Sequence, residues 1–256
     1  LDSLVDAATQ ALARNPEAKS LMNGMIPQLV TDCFYDSCSA AWQKENGTLD
    51  AEALGAYLNA MQAIYDLDAP VREQYADFLK QLEAEGDNFY TPGDYTSISG
   101  ARGIVMDGTA LSAGTLESME LWAGALAGED RLEGYALVPL NLQASGVFLP
   151  RQLYGVLKTT ENEDGAREFV QFVLSEEVQE NALSYGFPVN RAAFDRQIQE
   201  DKTVEDKFAS SDENGNMISL AARYPSAAER KQLVSWVDAL TTPAMTDRTV
   251  RKLVSD

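Results

Sequence analysis

Two stretches decide how the chain is read. One is Asp164-Gly165-Ala166-Arg167-Glu168-Phe169-Val170-Gln171-Phe172-Val173-Leu174-Ser175-Glu176-Glu177-Val178-Gln179, and the other is Gly186-Phe187-Pro188-Val189-Asn190-Arg191-Ala192-Ala193-Phe194. Ala166, Phe169, Val170 and Val173 recur every three or four positions and predict a helix beginning after Asn162. Ser175 is placed to cap a second helix carrying Val178, Ala182 and Tyr185, with Gly186 as its left-handed stop. Phe187 to Val189 then reads as an extended link, and Asn190 as the cap of a short third helix.

Outward from these stretches, helical spacing dominates both ends. Leu1, Leu4, Val5, Ala8 and Leu12 share one face of a helix that stops at Asn15-Pro16. Pro27 suits the first position of a second helix, with Leu29, Val30, Cys33, Phe34, Ala41 and Trp42 inside and Gly47 after it. Asp50 predicts the cap of a third helix, with Leu54, Tyr57, Leu58, Met61, Ile64 and Tyr65 as its apolar stripe. Pro70 starts a fourth, carrying Val71, Tyr75, Phe78, Leu79 and Leu82. Ser226 and Glu229 form a capping box for a helix with Leu233, Val234, Val237 and Leu240.

The middle of the chain has a different grain. Residues 87–100 read as a long loop. The apolar runs Gly103–Met106, Tyr135–Pro139 and Leu153–Leu157 predict three strands, with an amphipathic helix over Thr115–Ala127 between the first two. Residues 201–224 are polar, centred on Asp212-Glu213-Asn214-Gly215-Asn216. That centre lacks the glycine a calcium loop needs at its sixth position and reads as a solvated turn. The expected class is α/β and predominantly helical.

Composition excludes much. The chain has 256 residues, 45% of them apolar and 23% charged, in keeping with a folded globular chain of one large domain or two lobes. Forty acidic against twenty basic residues give a formal charge of −20, which repels phosphate backbones and argues against nucleic acid. No apolar run is long enough to span a bilayer. Histidine is absent, which removes Ser-His and Cys-His catalysis and His-containing zinc sites. Cys33 and Cys38, five residues apart on one helix, are separated by about 7.5 Å of rise, too far for a disulfide, and read as packed thiols. The chain opens at Leu1 without a leader and closes within a helical pattern, as a piece of a longer protein would.

Candidate binding residues sit in the loops after the expected strands. Asp107, Gly108 and Thr109 put a carboxylate, a permissive glycine and a hydroxyl where the Gly103–Met106 strand ends, the edge at which open α/β sheets bind ligands. Phe148, Arg151 and Tyr154 combine two rings with a fork of donors, a mixture that suits sugars. No carboxylate pair stands out for glycosidase chemistry, no phosphate loop is present, and Trp42 and Trp122 fall on apolar helical stripes as core residues.

The block from Asp164 to Gln179 resembles the "A-x-EF-x-x-F-LLSEE-VQ" segment of extracellular solute-binding proteins of ABC importers, of the maltose-type family. Gly186 to Phe194 resembles the "G-F-P-V-N-x-x-A-F" that follows it there, Gly103–Gly108 the family's "G-x-x-A-M-x-x-G", and Leu233 to Pro243 a helix and Thr-Thr-Pro link near the end of many members. The resemblance implies an α/β, periplasmic-binding-protein-like fold of type II. Residues 1–139 and 186–256 would form a helix-rich C-terminal lobe and residues 140–185 a remnant of the N-terminal lobe, whose first ~100 residues are absent. Apolar faces such as Phe169, Val170 and Val173 would then lack their usual cover.

It further implies a non-catalytic receptor that captures a sugar or related small solute between two lobes. Such a receptor works with ABC permease subunits, stands outside the cell on a lipid anchor borne by a missing N-terminus, and calls for no cofactor or metal. Met25 and Gln28, in the turn before the second helix, resemble a cleft-lining segment of the family and join Asp107, Gly108, Thr109, Phe148, Arg151 and Tyr154 as ligand contacts. The Thr109-Ala110 pair stands where the family carries an aromatic residue. The rival readings are a carboxylate-based carbohydrate-active enzyme and an extracellular sensory domain on the same scaffold.

Overall fold

A computed structural model describes residues 1–22, 33–42, 44, 48–84, 100–150, 152–180, 186–211, 216–244 and 252. In chain order, α1 is Asp2–Arg14, β1 Ser20–Met22, and α2 Cys33–Cys38 with a 3-10 turn Ser39–Trp42 after it. Then come α3 (Ala51–Ala84), α4 (Gly100–Asp107), β2 (Thr109–Leu111), α5 (Met119–Ala125), a 3-10 turn Glu129–Arg131 and β3 (Val147–Phe148). The rest is α6 (Glu163–Val173), α7 (Glu176–Glu180), α8 (Arg191–Gln199), β4 (Lys207–Ser211), β5 (Met217–Ala221), α9 (Ala227–Asp238) and β6 (Thr242–Pro243). The fold is mixed α/β and mostly helical. Among the described residues the strands form three two-stranded sheets: β1–β2 and β3–β6 parallel, and β4–β5 antiparallel.

Local signals form where they were expected. Asp50 Oδ1 accepts from the N–H groups of Glu52 and Ala53 at the start of α3. Asn162 caps α6 through Gly165 N–H, and Asn190 caps α8 through Ala192 and Ala193 N–H. Ser226 and Glu229 close the capping box of α9. α1 ends at Arg14 and buries Leu4 and Ala8. Cys38 is a free, buried thiol, its ionisation pushed up by burial.

Two hydrophobic clusters result. The first gathers Leu4, Ala8, Leu21, Met22, Phe34, Tyr35, Trp42, Leu54, Tyr57, Met61 and Ile64, with Leu140 and Leu142 against its edge. The second joins Met119, Trp122 and Leu126 of the α5 region to Phe194, Ile198 and Leu233 of α8 and α9. Trp42 and Trp122 are core residues, as their helical spacing predicts.

Several expectations need correction. Pro70 does not begin a helix; it lies inside α3. Proline there removes one backbone hydrogen bond at a cost of roughly 3 kcal/mol. The ion pair of Asp68 with Arg72, one turn apart, straddles it and holds the turn together from the side. Leu58 and Tyr65, expected inside, are exposed, because the face of α3 that carries Leu54, Tyr57, Met61 and Ile64 turns to the core and theirs turns away.

Gly103–Met106 is part of helix α4, not a strand. A short apolar run has no period that separates the two, and packing decides. Here Gly100, at φ +75°, lets the helix start press on Ala125, where a Cβ would meet the Ala125 carbonyl oxygen at 2.6 Å. Tyr135–Pro139 and Leu153–Leu157 are irregular rather than strands, since neither run pairs with a strand among the described residues. Conversely, the polar 201–224 region carries the β4–β5 hairpin, in register from Lys207↔Ala221 to Ser211↔Met217. The expected turn residues 212–215 lie outside the described residues, as do Pro27, Gly47, Ala182, Tyr185 and the side chain of Cys33.

Candidate functional site

The Asp107-Gly108-Thr109 joint sits between α4 and β2. Asp107 ends the helix, Gly108 turns the chain at φ +67°, and Thr109 enters β2 opposite Ser20. The joint therefore precedes a strand, at the amino edge of the β1–β2 pair. The expectation of a turn at the carboxyl end of a strand is overturned, because the residues before it are helical. The carboxyl edge of this parallel pair lies at Met22 and Leu111 instead.

Burial governs the chemistry of the joint. Thr109 is 1% exposed. Thr109 Oγ1, Asp107 Oδ2 and Arg102 Nε are all buried and have no hydrogen-bond partner among the described residues. Desolvation raises the Asp107 carboxyl to about 6, against the opposing pull of Arg102 and Lys19. Burial also lowers Arg102, whose guanidinium lies 4.1 Å from the centre of the Phe208 ring.

The second group of candidates stands elsewhere. Phe148, in β3, pairs with Pro243 and is partly exposed; its carbonyl accepts from Ala244 N–H at 2.7 Å. Tyr154 is exposed and donates its hydroxyl to Gln152 Oε1 at 2.7 Å. Among the described residues, no hydrogen bond, ion pair or ring contact joins Phe148 or Tyr154 to Asp107 or Thr109. Met25, Gln28 and Arg151 lie outside the described residues.

A cavity of about 360 Å³ is lined by Glu129, Asp130, Leu132, Gly134, Tyr135 and Glu229. Arg223 spans its wall, reaching Glu129 at 2.5 Å and Glu229 in a two-pronged contact at 2.8 Å. Hydrogen bonds from Arg223 hold Glu229 down at about 2, with Ser226 adding to the effect. The sequence pointed to Glu229 only as half of a capping box. Arg223 and Glu129 are distant along the chain and carry no local signal of their meeting. Among the described residues, no group of three or more His, Cys, Asp or Glu side chains could hold a metal ion. No described helix is long and apolar enough to cross a membrane.

No family model, curated protein or solved structure matches this chain.

Glu229 gives a direct prediction. Its folded-state value lies below the ordinary 4.5, so it stabilises the fold above about pH 4.5, and that gain is lost as pH falls toward 2. Allowing for solvent screening of a partly exposed pair, Glu229→Gln should cost about 1 kcal/mol at pH 7. In thermal melts the gap from the parent chain should narrow steadily from pH 5 to pH 3. A constant gap would mean that the carboxylate charge is not the source.

Proposed function

We propose that this chain is part of the extracellular solute receptor of an ABC importer, a periplasmic-binding-protein-like fold of type II that captures a sugar or related small solute between two lobes. The observation that carries the reading is how the two family-like segments hold each other. Gln179 donates through Nε2 to the Val173 carbonyl and accepts on Oε1 from Val189 N–H, both at 3.0 Å. Asn190 caps α8 with its oxygen while its Nδ2 donates to the Leu174 carbonyl at 3.1 Å. Arg196 of α8 pairs with Glu176 and Glu180 of α7. Residues that resemble a family signature thus serve one another's backbone, which is a physical reason for the two segments to occur as a unit.

A second observation supports the two-lobe division. Of the described residues 152–180, none is buried, although α6 is strongly amphipathic. Phe169 and Phe172 are 60% and 57% exposed. In the proposed arrangement residues 140–185 belong to one lobe and residues 1–139 and 186–256 to the other. Further residues of the first lobe then cover α6. The receptor delivers its solute to permease subunits from the outer face of the membrane, held there by a lipid anchor.

Calorimetric titration of the native full-length polypeptide with mono- and oligosaccharides, amino acids and polyamines tests the reading. The expected result is saturable binding of one class without turnover, with a rise in melting temperature equivalent to about 2.7 kcal/mol at a hundredfold excess over Kd. Steady release of reducing sugar, or no saturable binding across the panel, would overturn it.

A further inference from the structure

We propose that the Asp107–Gly108 joint is a pH-sensitive latch on the β1–β2 pair, closed while Asp107 carries its proton and loosened when that proton leaves to solvent. The proposal does not depend on the receptor reading.

The geometry of the joint supplies the argument. Asp107 is the last residue of α4, where the helix presents the negative end of its dipole and disfavours a second negative charge. Its Oδ2 is buried without a donor among the described residues, so a charge at that atom is poorly solvated. The next residue is the fastening point. Lys19 N–H donates to the Gly108 carbonyl at 2.8 Å, and the pairing of β1 with β2 starts one residue later at Ser20↔Thr109. The left-handed Gly108 lies so close to the Lys19 stem that a Cβ there would meet Lys19 Cδ at 3.2 Å. Asp107 and Gly108 are adjacent in the chain, so a backbone shift that carries the carboxylate toward water also moves the glycine that Lys19 holds. The Lys19–Gly108 bond and the short β1–β2 ladder behind it open together.

The surrounding charges do not cancel the effect. Arg102 on α4 and Lys19 before β1 act on Asp107 and favour its charged form, yet burial outweighs them and its ionisation stays near pH 6. Of the other elements packed on α4, α5 contributes Glu120, which pairs with Lys202. The 3-10 turn contributes Glu129, paired with Arg223, together with Asp130 and Arg131, the latter bonded to the Ser219 carbonyl. β2 contributes none. Because the closed state holds its proton more tightly than the open one, closure is strongest below about pH 4 and weakens as pH rises through 6.

Amide hydrogen exchange of residues 19–22 and 109–111, corrected for intrinsic rates, reads the latch. The opening constant of the unmodified chain should rise about tenfold between pH 4.5 and pH 7, and Asp107→Asn should remove that rise. An opening constant that is the same at both pH values, or a rise that persists in Asp107→Asn, overturns the proposal. Should the variant not fold, the carboxyl carbon of Asp107 in the unmodified chain decides the matter by NMR. A titration midpoint near 6 supports the latch and one near 4 overturns it.

Discussion

Trp42→Ala should lower the unfolding free energy by about 4 kcal/mol, the range for truncating a fully buried aromatic side chain. Trp42 is completely buried, edge-on to Tyr35 at 5.2 Å and tilted against Tyr57 at 4.8 Å. It is also a fastener. Its indole Nε1 donates to Gln143 Oε1 at 2.9 Å, and Gln143 Nε2 donates to the Ala53 carbonyl at 2.7 Å. Its own carbonyl accepts from Asp50 N–H, just ahead of α3. Alanine would leave a void between two rings and strip Gln143 of a partner. Trp42→Phe separates the two effects, because it keeps most of the ring and removes the N–H, and should cost about 1–2 kcal/mol. Urea denaturation of both variants measures this, and a loss below about 1 kcal/mol for the alanine variant would mean that the first cluster is not packed as described.

Asp68 should give the second large effect. It is 2% exposed on the inner face of α3, accepts from Leu21 N–H at 2.8 Å and pairs with Arg72. Leu21 is itself fully buried, so no water can replace the lost acceptor. Asp68→Leu therefore strands a buried N–H and removes one partner of the half-buried Arg72 guanidinium, at a cost of about 3 kcal/mol. Asp68→Asn keeps an acceptor for Leu21 and should lose markedly less. The two variants compared by chemical denaturation, with exchange of the Leu21 amide as a local readout, distinguish the hydrogen bond from the charge. Equal losses would assign the whole effect to the ion pair that spans Pro70.

The candidate site was legible only in part. Asp107 and Thr109, expected in a loop after a strand, instead end a helix and open a strand, and each carries a buried atom without a hydrogen-bond partner among the described residues. Which end of which element they occupy was not legible, because Gly103–Met106 is too short to show a period. The Arg223–Glu129–Glu229 network lay equally out of reach. It joins a 3-10 turn, the end of a hairpin and the first turn of α9, and no local pattern encodes a meeting of three such distant points.

What the chain by itself determined is everything set within about one helical turn. The caps at Asp50, Asn162, Asn190 and Ser226 and the stop after Arg14 depend only on groups two to four residues from their partners. The tertiary structure alone decided that α3 runs on through Pro70, that the helix holding Gly103–Met106 packs at its start against Ala125, and that Tyr135–Pro139 and Leu153–Leu157 take an irregular path. A strand exists only when another segment supplies its hydrogen bonds, and a small residue favours a helix only when something packs close against it.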